Sequence, residues 1–440
     1  LGSGASQSGF GRTGTVDWDT TAKTTSFTAV SGDGYFVNTT SSAITVTLPA
    51  GSAGSIVSLK DYANTWDTNN VTITPNGTDK INGVNNDSVL NTEDQSITLV
   101  YVDSTKGWRV VQDSTSSVDG AAFVAATGGT VITCGNFKTH IFTGPGTFCV
   151  SCAGNPGGSD TVDYFVVAGG GSGASGHNNN TTGAGGGGAG GFRVSNSVGC
   201  VPSPTMSPLA NSTGLSVTAQ GYPITVGGGG TGGNNPTPNR GTCGADSTFS
   251  TITSAGGGAG GTGFNDPLPH QCGVSGGSGG GAGGSCNPCK PSGGAGSGNT
   301  PSVSPPQGNN GGTRVNCNAA SGGGAGAVGG SAQPPGTGPG SGQAGGGGIG
   351  SYVADAFIKP GCAPSYGTPG PVSSTRYFAG GGGGGVESTP GLGLGSNGAG
   401  GVGGGGGGGP APTTIGAGTP GTTNTGGGGG GASRYNCGSG

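Results

Sequence analysis

Beyond residue 120 the chain almost lacks charge. Residues 1–120 hold 18 Asp, Glu, Lys and Arg, and the following 320 residues hold only 14. Large apolar residues are scarce there too, so that segment cannot hold a conventional side-chain core. No apolar run approaches the roughly 20 residues that a bilayer-spanning helix needs, and no membrane insertion is expected. There is no basic patch and no Arg-Gly-Gly series, and the formal net charge is −4, which argues against a nucleic-acid partner. No stretch shows helical periodicity with caps, and no Gly-Lys-Ser/Thr phosphate loop occurs. Histidine is limited to His140, His177 and His270, none of them beside a Ser or Cys nucleophile in sequence. Past residue 120 the only acids are Asp160, Asp163, Asp246, Asp266, Asp355 and Glu387. Nothing points to a triad or a glycosidase carboxylate pair, so the expectation is a non-enzyme without a cofactor.

Glycine fills the gap. Of 113 glycines in 440 residues, 13 lie in residues 1–120 and 100 beyond. The longest runs are Gly380 to Gly385, Gly403 to Gly409 and Gly426 to Gly431. At this density Gly-x-Gly-x-x-Gly recurs by chance and carries no dinucleotide signal. An isolated glycine run is a flexible linker. Disorder from low hydrophobicity, however, usually comes with high net charge, and this part is nearly neutral. The runs are also irregular in period, which excludes collagen. A packed alternative exists. Polyproline-II-like glycine helices, side by side, can satisfy each other's N–H and C=O groups, because no Cβ holds the backbones apart. The inserts between runs then become end loops.

Along the chain, residues 1–14 read as a linker and residues 15–115 as an all-β sandwich or barrel. Ile44-Thr45-Val46-Thr47-Leu48 alternates as a half-buried strand does, and turn signals such as Gly32-Asp33-Gly34 separate the strands. Residues 116–130 are a second linker and 131–168 a β connector. Its last strand, Thr161 to Ala168, runs straight into Gly169. Residues 169–440 form the glycine-rich domain. The fold class is therefore an all-β module plus packed polyglycine-II helices with loop inserts and essentially no α-helix.

All eleven cysteines lie at or beyond Cys134: Cys134, Cys149, Cys152, Cys200, Cys243, Cys272, Cys286, Cys289, Cys317, Cys362 and Cys437. Disulfide staples in an oxidising, extracellular setting are the expectation. The odd number leaves at least one thiol free or bonded to another chain. Cys149-x-x-Cys152 and Cys286-x-x-Cys289 have zinc-ligand spacing but lie far apart, so disulfide or free thiol is favoured over metal. Sequons at Asn38, Asn70, Asn76, Asn86, Asn179, Asn180 and Asn211 read as coincidences of an Asn- and Thr-rich chain. The chain opens on Leu1-Gly2 rather than Met, which reads as a processed chain or a fragment.

The stretch Val162 to Gly171, followed by Gly185 to Arg193, resembles the glycine-rich domain of bacteriophage tail-fibre proteins. Tyr222 to Gly228 and Ser247 to Thr253 continue the likeness. Gly34 to Asn38, Ile44 to Pro49 and Leu99 to Arg109 resemble a β module of phage tail fibres. The resemblance implies a virion or extracellular fibre protein that binds a host surface protein or glycan, contacts other virion fibre or tail proteins and forms a homotrimer. It differs from those adhesins in its Cys- and Pro-rich inserts and in lacking a hydrophobic closing strand. Receptor contacts are expected in the inserts, at Tyr352, Phe357, Tyr366, Arg376, Tyr377, Phe378, Phe264 and His270. The competing role for the aromatics is to cap the open ends of the glycine stack. The competing function is a structural filament without a receptor. Ice binding is a minor third, disfavoured by the bulky inserts.

Overall fold

A computed structural model describes residues 16–114, 122–134, 137–155, 158–176, 182–197, 206–232, 240–263, 268–285, 294–315, 317–333, 342–358, 366–372, 375–386, 396–410 and 416–433. Among them the chain is essentially all-β, and its helical elements are the single turns Leu268–Gln271 and Asp355–Ile358. Two compact units divide it. One comprises Leu1–Ala126, Val150–Thr161 and Ser216–Ala219, and the other Thr127–Cys149, Val162–Leu215 and Gln220–Gly440. The expected connector 131–168 is thus shared between them.

Residues 16–114 of the first unit form nine strands. They are β1 (Asp17–Lys23), β2 (Phe27–Thr28), β3 (Asp33–Val37), β4 (Ile44–Thr47), β5 (Ile56–Asp61), β6 (Val71–Thr74), β7 (Ser88–Leu90), β8 (Ser96–Asp103) and β9 (Gly107–Asp113). They form two sheets, β1-β3-β5-β8-β9 and β2-β4-β6-β7. Pairing is parallel within β1-β3-β5 and within β2-β4-β6. The chain therefore crosses from one sheet to the other and back, and each coil stacks on the one before. A parallel pair needs a crossover connection; here the strand in the opposite sheet serves as that crossover. Antiparallel β7, β8 and β9 close the stack. Alternation sorts the side chains as the sequence predicts: Ile44 and Val46 are buried while Thr45 and Thr47 are partly exposed. The core joins Val37, Leu59 and Leu99 of one sheet to Val46, Ile73 and Leu90 of the other, with Trp66 and Trp108.

Asp61 ends β5 and organises the loop after it. Its buried carboxylate accepts the N–H groups of Ala63 and Thr65 on Oδ1 and of Trp66 and Asp94 on Oδ2, at 3.1–3.3 Å. Asp61→Ala strands four donors at once. Each hydrogen bond to a charged group contributes about 1.5–3 kcal/mol, and losses within one network overlap, so a total near 4 kcal/mol is expected. Chemical denaturation followed by tryptophan fluorescence reads this directly. A loss under about 1 kcal/mol contradicts the role, since that is the scale of one ordinary bond.

The second unit contains the glycine runs. Segment 183–192 is its centre. N–H groups of residues 184, 187 and 190 donate to the carbonyls of 432, 429 and 426. Those of 185, 188 and 191 donate to 261, 258 and 255, and those of 186 and 189 to 320 and 323. Every third N–H returns to the same neighbour, displaced by three residues, at 2.7–3.1 Å. The segment also accepts from three others: from 168, 171 and 174, from 278, 281 and 284, and from 382 and 385. Among the described residues it therefore has six neighbouring segments; 168–174 precedes it in the chain and the other five are remote in sequence. This is neither a β-ladder, whose side-chain period is two, nor a helix, whose bonds are local.

Side chains are absent at these crossings for a steric reason. A Cβ on Gly185, Gly186, Gly187, Gly188 or Gly190 falls well inside 3.0 Å of a carbonyl oxygen of another segment. Ala189 is tolerated because it packs into an apolar cluster with Phe192, Val194, Met206, Val353 and Phe378.

Candidate functional site

The hydrogen bonds give the glycine segments two ends. Ala168, Gly191, Ala255, Gly350 and Ala379 stand at one, the strand end. Ala174, Gly183, Gly261, Gly284, Gly385 and Ala432 stand at the other, the loop end.

Strands close the first. Phe165–Val167 pairs antiparallel with Phe192–Ser195, matching Val167 to Phe192. Both strands run into glycine, and Ala168 N–H bonds Gly191 O at 3.1 Å, so a period-two ladder passes directly into the period-three pattern. Ser351–Ala354 pairs with Thr375–Phe378, which also pairs with Thr368–Pro369. Phe165 stands edge-on to both Phe192 and Phe378, with centroids at 5.1 and 4.8 Å.

Most of the expected receptor contacts lie in this closing layer. Tyr377 and Phe378 are 4% and 3% exposed, so packing takes up both rings. Burial pushes the Tyr377 phenol above the ordinary tyrosine value. Phe357 and Tyr366 are half-buried against the same cluster. Tyr352 is partly exposed and packs on Tyr377 at 5.3 Å. Arg376 donates to the carbonyls of Tyr366 and Gly367 at 2.9 and 2.7 Å, which fixes the strand return and leaves it a positioning role. These residues are brought together, but as a lid on the stack. Exposed His270 is apart from them, on the turn Leu268–Gln271 at the loop end, and its carbonyl accepts from Thr262. Phe264 lies outside the described residues.

The loop end gathers the chain reversals. Segments leave the stack past Ser175, Gly263, Ser285, Val386 and Pro410 and return at Thr182, Cys272, Gly294, Ser396 and Gly416. Buried Arg314 donates to Gln271 Oε1 at 3.2 Å there, and burial lowers its guanidinium pKa. Sequence reasoning passed over this pair, since one Arg in Gly-Thr-Arg-Val carries no signal. It also passed over Gln307, at the strand end. Its side-chain Oε1 accepts Ala255 N–H at 2.8 Å and its backbone carbonyl accepts Phe192 N–H, so an amide side chain stands in for a peptide group where no segment reaches.

The cysteines need a correction. Cys149, Cys152 and Cys243 carry free thiols, and Cys272 forms no disulfide. Cys149 and Cys152 are three apart on strand Gly146–Ala153, an odd spacing that sends side chains to opposite faces and prevents a mutual bond. Cys272 Sγ instead accepts Gly294 N–H at 3.3 Å. No disulfide joins two described cysteines. Cys317 is disulfide-bonded, with its partner outside them. The side chain of Cys134 and residues Cys200, Cys286, Cys289, Cys362 and Cys437 are likewise outside.

Neither a family model nor a curated protein matches the chain. Among the described residues no three His, Cys, Asp or Glu side chains are placed to hold a metal, and no helix is long and apolar enough to cross a membrane. His140 Nδ1 bonds Gly128 O at 2.8 Å and its ring packs edge-on to Phe148, a structural setting. His177 lies outside the described residues.

Proposed function

We propose that this chain is a non-enzymatic virion fibre adhesin whose glycine segments are polyglycine-II rods that hold receptor-binding loops at one end. The return of every third N–H to the same neighbour carries the reading. Polyproline-II geometry has three residues per turn and about 3.1 Å rise, so nine residues from 183 to 191 make a rod about 25 Å long. Donors then leave a rod in three directions, the arrangement that a lateral lattice requires. Such a stack has no side chains to rearrange and presents its loops on a stiff base, which limits the ordering cost of binding. The aromatics at the strand end are engaged in closing the stack, so binding is assigned to the loop end, where His270 is exposed. The partner is a host surface protein or glycan, and the assembly is a homotrimer joined through the first unit.

Adsorption tests this. Purified protein should block phage adsorption to one host strain in a panel. Exchange of residues 387–395 for a Gly-Ser linker of equal length should weaken blocking by about tenfold or more, or about 1.4 kcal/mol, with an unchanged melting temperature. Tyr352→Ala at the strand end should leave it unchanged. Failure against every strain, together with end-to-end filaments by electron microscopy, favours the structural-filament reading instead.

A further inference from the structure

A cleft of about 370 Å³ opens in the first unit. Ile81, Asn82 and Val84 form one wall, Arg109 of β9 another, and Gly154 and Asn155 a third. Asn155 Oδ1 is held by Ala122 N–H and Gly158 N–H at 2.9 and 3.0 Å, so that wall is braced.

Two lining groups have unused hydrogen-bonding capacity. Asn82 sits in the left-handed region at φ 56°. Its backbone is pinned by N–H donation to Trp108 O at 2.9 Å, and its Oδ1 is shielded from water without a hydrogen-bond partner. A buried polar atom without a partner destabilises the fold, and such groups collect at binding sites. Arg109 is exposed, and among the described residues its guanidinium has neither an ion pair nor a side-chain hydrogen bond. No carboxylate lines the cleft, although the chain as a whole has a net charge of −4. Val84, 39% exposed, adds an apolar surface.

We propose that this cleft is a subsite for a sugar unit bearing a carboxylate, as in an acidic surface polysaccharide. The guanidinium of Arg109 receives the carboxylate through a charge-assisted pair, for which a planar fork is suited. A ring hydroxyl meets the Asn82 amide after a side-chain rotation turns the shielded amide toward the cleft. A hydroxyl both donates and accepts, so it satisfies that amide whichever way round its oxygen and nitrogen stand. The C–H face of the ring lies on Val84. The volume falls within the range of small-ligand clefts, about 300–1,000 Å³. The site is independent of the loop-end reading and survives its failure.

Calorimetric titration of the full chain with D-glucuronate, D-glucose and acetate tests it. Glucuronate should bind, and more weakly as salt rises; glucose and acetate, each lacking one of the two groups, should bind at least about tenfold more weakly. Arg109→Gln, at an exposed position, should weaken glucuronate about tenfold without changing the melting temperature. Asn82→Gly keeps the left-handed backbone, removes the amide and should weaken it severalfold. Acetate binding as tightly as glucuronate reduces the site to a charge patch and overturns the proposal. So does unchanged affinity in Arg109→Gln, or no binding by any probe.

Discussion

Gly187→Ala is expected to unfold the glycine core of the second unit, while Gly228→Ala leaves it intact. Gly187 lies on the central segment, donates to Gly429 O and accepts from Gly382 N–H at 2.8 and 2.9 Å. A Cβ there collides with the Gly171 carbonyl and the backbone of Ser172. These obstacles are main chain, so no rotamer change clears them and the segments must separate. Overpacking alone costs about 1–3 kcal/mol. Each lateral hydrogen bond lost adds about 1 kcal/mol, and separation breaks several at once because neighbouring residues share the same contact. The sum, on the order of 5 kcal/mol, is comparable to the whole stability of many domains. Gly228 is the matched control, since a Cβ built on it meets nothing within 4 Å. There alanine only restricts the unfolded chain, worth about 0.4–1 kcal/mol of stabilisation. Calorimetric melting of both variants decides the matter. Equal behaviour would mean that glycine serves only as flexible filler, and the lateral-lattice account would fail.

That contrast shows why the glycine part was only half legible in the sequence. Low charge, recurring run length and the strand Phe165–Val167 leading into Gly169 pointed to order. Which run touches which did not follow, because a residue without a side chain carries no address. Gly187 could have met any carbonyl in any other run; its pairing with Gly382 and Gly429 is set by the lengths of the inserts and by strand-end partners such as Val167 and Phe192. In the first unit the strands were legible from alternation, as at Ile44 to Leu48. Their crossing between sheets was not, because a turn signal such as Gly32-Asp33-Gly34 marks a reversal without naming the sheet that receives the next strand. Arg376-Tyr377-Phe378 reads the same whether its side chains cap or bind. Burial favours capping for Tyr377 and Phe378, and Arg376 is engaged by hydrogen bonds to Tyr366 and Gly367.

Phe378→Ala should then behave as a loss of stability and not as a loss of recognition. The ring is 3% exposed, stands at 4.8 Å from Phe165 and packs in the cluster that includes Ala189, Ala325 and Ala379, three residues of the glycine segments. Truncating a buried Phe costs about 3–5 kcal/mol, the larger part where the site cannot collapse. Collapse is hindered here, since the segments beneath are held by lateral bonds and cannot shift singly. Hydrogen exchange should show protection lost first at the strand end, at Ala168, Gly191 and Ala379, with Gly185 and Ala432 at the loop end following only on global unfolding. Phe378→Leu separates the two roles. It keeps most of the apolar volume, so a cap should retain most of its stability and, under the proposed adhesin role, an unchanged affinity for host cells. A receptor contact should instead lose affinity in Phe378→Leu while the melting temperature stays near that of the parent, and that result would move the binding surface back to the strand end.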